Sequence, residues 1–284
     1  MPLVTSKEML NKALKEGFAV GAFNANNLEQ VQAIIEAAEE MESPVILQAS
    51  QGAIKYAGLA NIVAIVRNMA GDVRVPVALH LDHGTDYDQN VKCFRMGFTS
   101  LMFDGSKLPY DQNVSITLKI VEMANAVGVP VEGEIGKIGG TEDNVTVSEV
   151  EAQMTEPEEA MRFVKDTGIS SVAVAVGSVH RMKKKEAKLD HERIRKIRDL
   201  VNIPLVLHGS SGVIDDDIKR AIKEGICKVN IATQLNMEFV EGMKQGIREH
   251  PEEIDPRKIL KYSRQLVKDK VKNRIEVLGC AGKA

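Results

Sequence analysis

The chain has 284 residues, of which 44% are hydrophobic and 27% charged, and its formal net charge is -3. That length suits one large α/β barrel of about 250 residues or two small domains, and the charge leaves no basic field for nucleic acid. No apolar run reaches the roughly 18 residues that span a bilayer, and the start, Met1-Pro2-Leu3-Val4-Thr5-Ser6-Lys7-Glu8, lacks the layout of a secretory signal. A cytoplasmic protein with no nucleic-acid and no membrane partner is expected. Cys93, Cys227 and Cys280 are odd in number and far apart, which excludes a complete disulfide framework and a CxxC metal pair. Reduced thiols are expected, Cys93 and Cys227 in or near the core.

In chain order, Ser6 is placed to cap a helix over Lys7 to Lys15, and Phe18 to Asn24 reads as a strand ending on a polar residue. Asn27 precedes a helix with apolar spacing at Val31, Ile34, Ile35, Ala38 and Met41, and Pro44 to Ser50 is the next strand. A helical stretch from Leu59 to Met69 leads to the strand Val77 to Asp82, and another from Tyr87 to Met96 leads to Thr99 to Asp104. The helix Val114 to Val127 is closed by Gly128, the strand Val129 to Ile135 follows, and a polar excursion runs from Gly136 to about Thr155. Pro157 to Thr167 is helical and ended by Gly168. Ser171 to Ser178 is the sixth strand, Asp190 caps the helix through Val201, and Pro204 to His208 is the seventh strand. A helix from Asp215 to Lys223 precedes the eighth, Cys227 to Ala232, and helices Leu235 to Glu249 and Pro256 to Leu278 complete the chain.

Near-continuous apolar strands alternating with helices indicate a parallel sheet covered by helices, and a count of eight favours closure into a (β/α)8 TIM barrel, α/β in class, with extra N- and C-terminal helices. Residues 1–284 are read as a single domain. Asn24, Ser50, Asp82, Asp104, Glu134, His180, His208 and Asn230 all fall at or just past the C-terminal ends of strands. In barrels of this kind that rim is where active sites are built.

Three of those ends carry a histidine, His83, His180 and His208, a set suited to Zn2+ with an open position for substrate. Imidazole nitrogens also suit Co2+, Mn2+ and Fe2+. His191 and His250 lie in helices or at helix ends, where a solvated role is expected. Asp82 shares a strand face with His80 and sits beside His83, placed to handle a proton. Glu132 and Glu134 are two apart and face the same way; either fits a metal, and one fits a buried pair with Lys228. Gly209-Ser210-Ser211-Gly212 after the seventh strand and Ala232-Thr233 after the eighth offer backbone N–H groups where barrels hold a phosphate.

The runs HLDHG at 80 to 84, EGEIGKIGGTED from Glu132 to Asp143, GSVH ending at His180, HGSSG at 208 to 212 and KVNIAT at 228 to 233 resemble the class II, metal-dependent ketose-bisphosphate aldolases. The likeness extends over nearly the whole chain. It implies a barrel enzyme with catalytic Zn2+, often assisted by Na+ or K+, acting on a small sugar phosphate as a homodimer or homotetramer. By motif, His83, His180 and His208 would be the zinc ligands, with Glu134 an alternative ligand. Asp82 would exchange the proton of the C4 hydroxyl, and Glu142 the proton at C3 of the enediolate. Asn24, Ser50, Lys184, Gly209, Ser211, Asn230 and Thr233 match positions that bind the ketose and its phosphate.

Arg181 stands where the family has a glycine whose backbone approaches the monovalent ion and the phosphate. Ala232 and Asn236 replace the aspartate and distal-phosphate arginine common in fructose-bisphosphate enzymes. Alanine, and the tail Cys280 to Ala284, resemble tagatose-bisphosphate enzymes, although those keep a lysine where Asn236 stands. The expected reaction is C3–C4 cleavage of a ketose 1,6-bisphosphate to dihydroxyacetone phosphate and glyceraldehyde 3-phosphate, with tagatose slightly ahead of fructose. The competing readings are a metal-dependent epimerase or an aldolase for another sugar phosphate on the same scaffold, a Schiff-base aldolase using Lys228, and a non-catalytic aldolase subunit.

Overall fold

The computed structural model describes residues 3–142, 145–148, 152–182 and 184–284, with the backbone alone for 141–142 and 145–147. The apolar runs form strands β1 (Val20–Asn24), β2 (Val45–Ser50), β3 (Val77–Asp82), β4 (Leu101–Phe103) and β5 (Val131–Ile135). A hairpin of β6 (Gly139–Glu142) and β7 (Val145–Val147) precedes β8 (Ser171–Val174), the two-residue β9 (Val179–His180), β10 (Leu205–Leu207) and β11 (Ile226–Ile231). Eight of them pair in the order β3-β2-β1-β11-β10-β8-β5-β4. The ends of that row meet through parallel bridges, His80 to Ser100 and Gly84 to Phe103, with the Leu81 N–H donating to the Ser100 carbonyl. The sheet is thus a closed (β/α)8 barrel without an open edge.

Helices α1 (Ser6–Glu16), α2 (Leu28–Glu40), α3 (Gln51–Ala57), α4 (Leu59–Gly71), α5 (Tyr87–Met96) and α6 (Tyr110–Asn125) surround its first half. The second half carries α7 (Pro157–Thr167), α8 (His191–Val201), α9 (Asp215–Glu224), α10 (Thr233–Glu249) and α11 (Pro256–Leu278). Asn27 and Asp190 start α2 and α8 as expected, their side chains accepting from the N–H of Gln30 and Arg193. The main core lies between strands and helices, around Ile34, Leu47, Leu79, Phe103, Phe163 and Ile275. Inside the barrel a separate small cluster of Met102, Ala173 and Val206 shares the interior with Val20, Ala22, Ile46 and Ala78, which have the parity of Lys228, Asn230 and His80. None of the helices described is long and apolar enough to cross a membrane.

Several expectations are corrected. Ser6 does not cap α1: Thr5 holds that position without a side-chain bond, and Ser6 is buried inside the helix with its hydroxyl 2.7 Å from that of Ser100. The expected helix Leu59 to Met69 is α4, and an unexpected α3 precedes it, opened by the Ser50 hydroxyl, which accepts from the Ala53 N–H. The sixth barrel strand stops at Val174, and the polar excursion contains the β6–β7 hairpin, whose Gly140 pairs with His180 on β9. His191 is buried, with Nε2 2.6 Å from the Asp217 carboxylate, so it ties α8 to α9 instead of facing water. Cys93, Cys227 and Cys280 are free and all buried.

Helices α10 and α11 come together at Gly242, where a β-carbon would stand 2.4 Å from Ser263 Cα and 2.5 Å from its backbone nitrogen. Backbone cannot swing aside as a side-chain tip can. Gly242→Ala is expected to lower stability by about 1–3 kcal/mol through overpacking, measured by urea unfolding; an unchanged midpoint would show that the two helices separate freely.

Candidate active site

Strand pleating decides what the barrel interior contains. Alternate residues of β3, β5 and β11 place His80, Asp82, Glu132, Glu134, Lys228 and Asn230 inside it, all buried. With little water there, each must be satisfied by another. The Lys228 ammonium donates to Glu132 Oε2 at 2.7 Å and to His80 Nε2 at 3.2 Å. His80 therefore keeps its proton on Nδ1, 2.7 Å from the Ser100 hydroxyl. Burial first, then the Lys228 charge, hold the His80 pKa well below the ordinary imidazole value, so it is neutral.

Nearer the mouth, Glu132 Oε1 lies 2.9 Å from His208 Nε2. The carboxylate fixes the His208 proton on Nε2 and leaves Nδ1 as a lone pair, 2.9 Å from His83 Nε2. His208 is held neutral by burial and by the charge of His83. His83 behaves oppositely: burial works against its charge, but Asp82, Asp104 and Glu134 outweigh it and lift its pKa well above the ordinary value. Its Nδ1 donates to Asp104 Oδ2 at 2.8 Å, and its carbonyl accepts from Gln51 Nε2 at 2.7 Å. Burial and then the Asp104 charge raise the pKa of Glu134.

His180 reaches the same place from β9. Gly209, at φ +63°, packs against this strand so closely that a β-carbon would stand 2.8 Å from the Val179 carbonyl carbon. The ring centroids lie 5.3 Å (His83–His180), 4.6 Å (His83–His208) and 6.1 Å (His180–His208) apart. One ligand atom from each ring falls within 4.8 Å of the others, and His83, Asp104 and Glu134 form a second such group. Three imidazoles with an Asp104 carboxylate bonded behind one and Glu132 behind another are the donor set and backing that a divalent cation requires. The fit is supported by Glu134 Oε2, buried without a hydrogen-bond partner beside that donor set.

Asp82 accepts from Asn24 Nδ2 at 2.7 Å and from Asn230 Nδ2 at 3.0 Å, and Gln48 Nε2 braces Asn24 at 2.6 Å. Its Oδ1 is 4.0 Å from His83 Nε2. Gly209, Ser211, Asn230 and Thr233 line the cleft that also holds Asp82 and the three histidines. The Ser211 hydroxyl is buried without a partner, and Thr233 opens α10, an arrangement suited to an anion.

Asn24, Ser50 and Arg181 line an adjoining chamber. Lys184 is not brought to either lining: it is exposed, 4.0 Å from Glu186. Glu142 closes β6, and its side chain lies outside the described residues. Lys228, with 1% of its surface exposed and its ammonium engaged by Glu132, is not presented to a substrate, which sets aside the Schiff-base reading. The backing role of Asp104 was missed, though its place at a strand end was a signal; Gln48 and Gln51 carried none.

A closed barrel that gathers three imidazoles and a buried carboxylate at its C-terminal rim has the form of a candidate metal-dependent active site. Residues 4–283 match the family described as Fructose-bisphosphate aldolase class-II, and the chain belongs to that family. It is an aldolase, a carbon–carbon lyase. It is 45% identical over 305 aligned positions to Fructose-bisphosphate aldolase of Thermus caldophilus, covering 99% of this chain and 100% of that one. It is 44% identical over 284 positions to Sulfofructosephosphate aldolase of Alkalicoccus urumqiensis, covering 100% of this chain and 99% of that one. Among solved structures it resembles the YdjI aldolase of Escherichia coli K12, with a TM-score of 0.86, 32% identity and 99% of each chain covered.

The raised pKa of His83 sets the sign of a pH effect. A metal needs the neutral ring, so below that pKa binding must expel the proton. Divalent-metal affinity is expected to rise with pH from the ordinary imidazole value up to that of His83, by as much as about tenfold per unit. Calorimetric titration of metal-free protein in buffers of different ionisation enthalpy measures it; affinity independent of pH in that window would mean that His83 is already neutral.

Proposed function

We propose that the chain cleaves and forms the C3–C4 bond of a ketose 1,6-bisphosphate, giving dihydroxyacetone phosphate and glyceraldehyde 3-phosphate. The observation that carries the reading is Asp82, buried, fixed by Asn24 and Asn230, and adjacent to His83. Both amides donate to its oxygens, leaving it an acceptor placed to take the proton of the C4 hydroxyl. Gly209, Ser211 and Thr233 hold the C1 phosphate, which fixes the sugar relative to Asp82. When bound by His83, His180 and His208, Zn2+ supplies a Lewis acid that polarises the ketone. Glu142 as the proton carrier at C3, Lys184 at the phosphate, and Na+ or K+ as an assisting ion are carried over from the family resemblance.

Tagatose 1,6-bisphosphate is placed slightly ahead of fructose 1,6-bisphosphate on Ala232 and the C-terminal tail. A second reading, a sulfofructose phosphate, is supported by the relative of that name and by neutral Asn236 where a cation is common. The assembly proposed is a homodimer or homotetramer, supported by Met237, Val240 and Ile247 exposed along α10. A cytoplasmic location is supported by the three free thiols.

Asp82→Ala is expected to retain divalent metal while losing about a thousandfold or more in cleavage. His208→Ala should lose both metal and cleavage. The checks are metal analysis and a coupled assay for triose phosphate release, with and without EDTA. Near wild-type turnover by Asp82→Ala would remove Asp82 from the reaction, and absence of triose from every ketose phosphate would remove the aldolase substrate assignment in favour of the epimerase reading.

A further inference from the structure

Two spaces meet at Arg181. One is the cleft of Asp82 and the histidines; the other is a chamber of about 750 Å³ between the barrel mouth and α10. Arg181 lines both. Its backbone has φ +56°, a left-handed conformation that a glycine adopts freely and an arginine does not. A side chain kept at such a position argues for a use of that side chain.

The charges around it identify the use. Arg181 is exposed and has no ion-pair partner among the described residues. The two carboxylates of the chamber wall are already engaged, Glu238 by Lys270 at 2.9 Å and Glu241 by Arg248 at 3.0 Å. A guanidinium left uncompensated at the junction is an attractor for an anion. Across the chamber, Asn236 Oδ1 accepts from Asn26 Nδ2 at 3.0 Å and from Gln30 Nε2 at 3.1 Å. With its oxygen doubly engaged, the Asn236 amide has its two N–H groups left to donate.

We propose that Arg181, with the Asn236 amide, recognises a tetrahedral oxyanion at the far end of the ketose, either a phosphate ester or a sulfonate. The inference rests on the aldolase reading, in which the C1 phosphate occupies the Gly209–Ser211 edge and the sugar extends into the chamber. Arg181 supplies the cation that position 236 lacks, as a specificity-determining residue. Its planar fork matches two oxygens of either group, and the neutral amide adds a donor without a second charge.

The test compares wild type, Arg181→Gly and Arg181→Lys on fructose 1,6-bisphosphate, 6-sulfofructose 1-phosphate and fructose 1-phosphate. Glycine suits the backbone at position 181, so folding is preserved. In Arg181→Gly the preference for a substrate with a terminal anion, expressed as a ratio of kcat/KM to that for fructose 1-phosphate, should fall by at least about tenfold, mainly through KM. Lysine should restore part of it. A fall confined to the bisphosphate identifies a phosphate as the anion, and a fall confined to the sulfonate identifies that group. Equal losses on all three substrates, or an unchanged ratio, overturn the proposal.

Calorimetric binding of fructose 1,6-bisphosphate and fructose 1-phosphate to the same proteins separates the two readings. Arg181-dependent preference in binding without cleavage would sink the aldolase substrate reading and leave the anion site standing. Cleavage with a binding preference that ignores Arg181 would do the reverse.

Discussion

Barrel closure is the constraint from which the rest follows. Once eight strands close, every second residue faces a volume with little room for water, and polar groups there can only satisfy one another. This chain fills much of that volume with a continuous polar column, Ser6–Ser100–His80–Lys228–Glu132–His208, running from the N-terminal helix to the metal-type site at the mouth. The Lys228–Glu132 pair is its centre. Removing one member of such a buried pair leaves an uncompensated charge that costs about 3–5 kcal/mol. The column also carries chemical information, since a charged Lys228 fixes the tautomer of His80, and Glu132 fixes that of His208.

The site draws on elements with different degrees of support. Asp82, Glu134, His208 and Asn230 come from or directly follow barrel strands. His180 comes from a two-residue strand, and its position depends on the β6–β7 hairpin on one side and on the close approach of Gly209 on the other. His83 leaves its strand with a left-handed backbone and is held through Asp104 and Gln51. The three imidazoles therefore meet because three separate backbone devices aim them at one point.

Relatives of nearly equal identity carry the names of different substrates, a fructose bisphosphate and a sulfofructose phosphate. On the proposed reading, in which the barrel, the candidate metal site and Asp82 serve the reaction common to the family, discrimination falls to the few side chains at the chamber. Arg181, Ala232 and Asn236 line it, and by the family resemblance they are where this chain departs from the usual pattern. An arginine with a left-handed backbone and a neutral amide on α10 give the chamber a different electrostatic environment from the aspartate and arginine that the family resemblance leads one to expect.

Local pattern was enough for the eight barrel strands, most helices, the interior parity of His80 with Asp82 and of Glu132 with Glu134, and the set of polar strand ends. Periodicity is a short-range property and is written directly in the residues. Even Lys228 as a partner of one glutamate was legible, because the residue types admit few other uses for a buried lysine. What the sequence could not decide was which glutamate. That depends on the stagger of β5, β8, β10 and β11 around the barrel, which puts Glu132 beside Lys228 and His208 and leaves Glu134 with His83. The burial of His191 against Asp217, the bond of Ser6 to Ser100 and the bracing of Asp82 by Asn24 and Asn230 are of the same kind. Each joins residues between 26 and 148 positions apart. The sequence by itself determined which side chains face inward; only closure of the barrel decided which of them meet, because hydrogen bonds and ion pairs act over a few ångströms and are blind to separation along the chain.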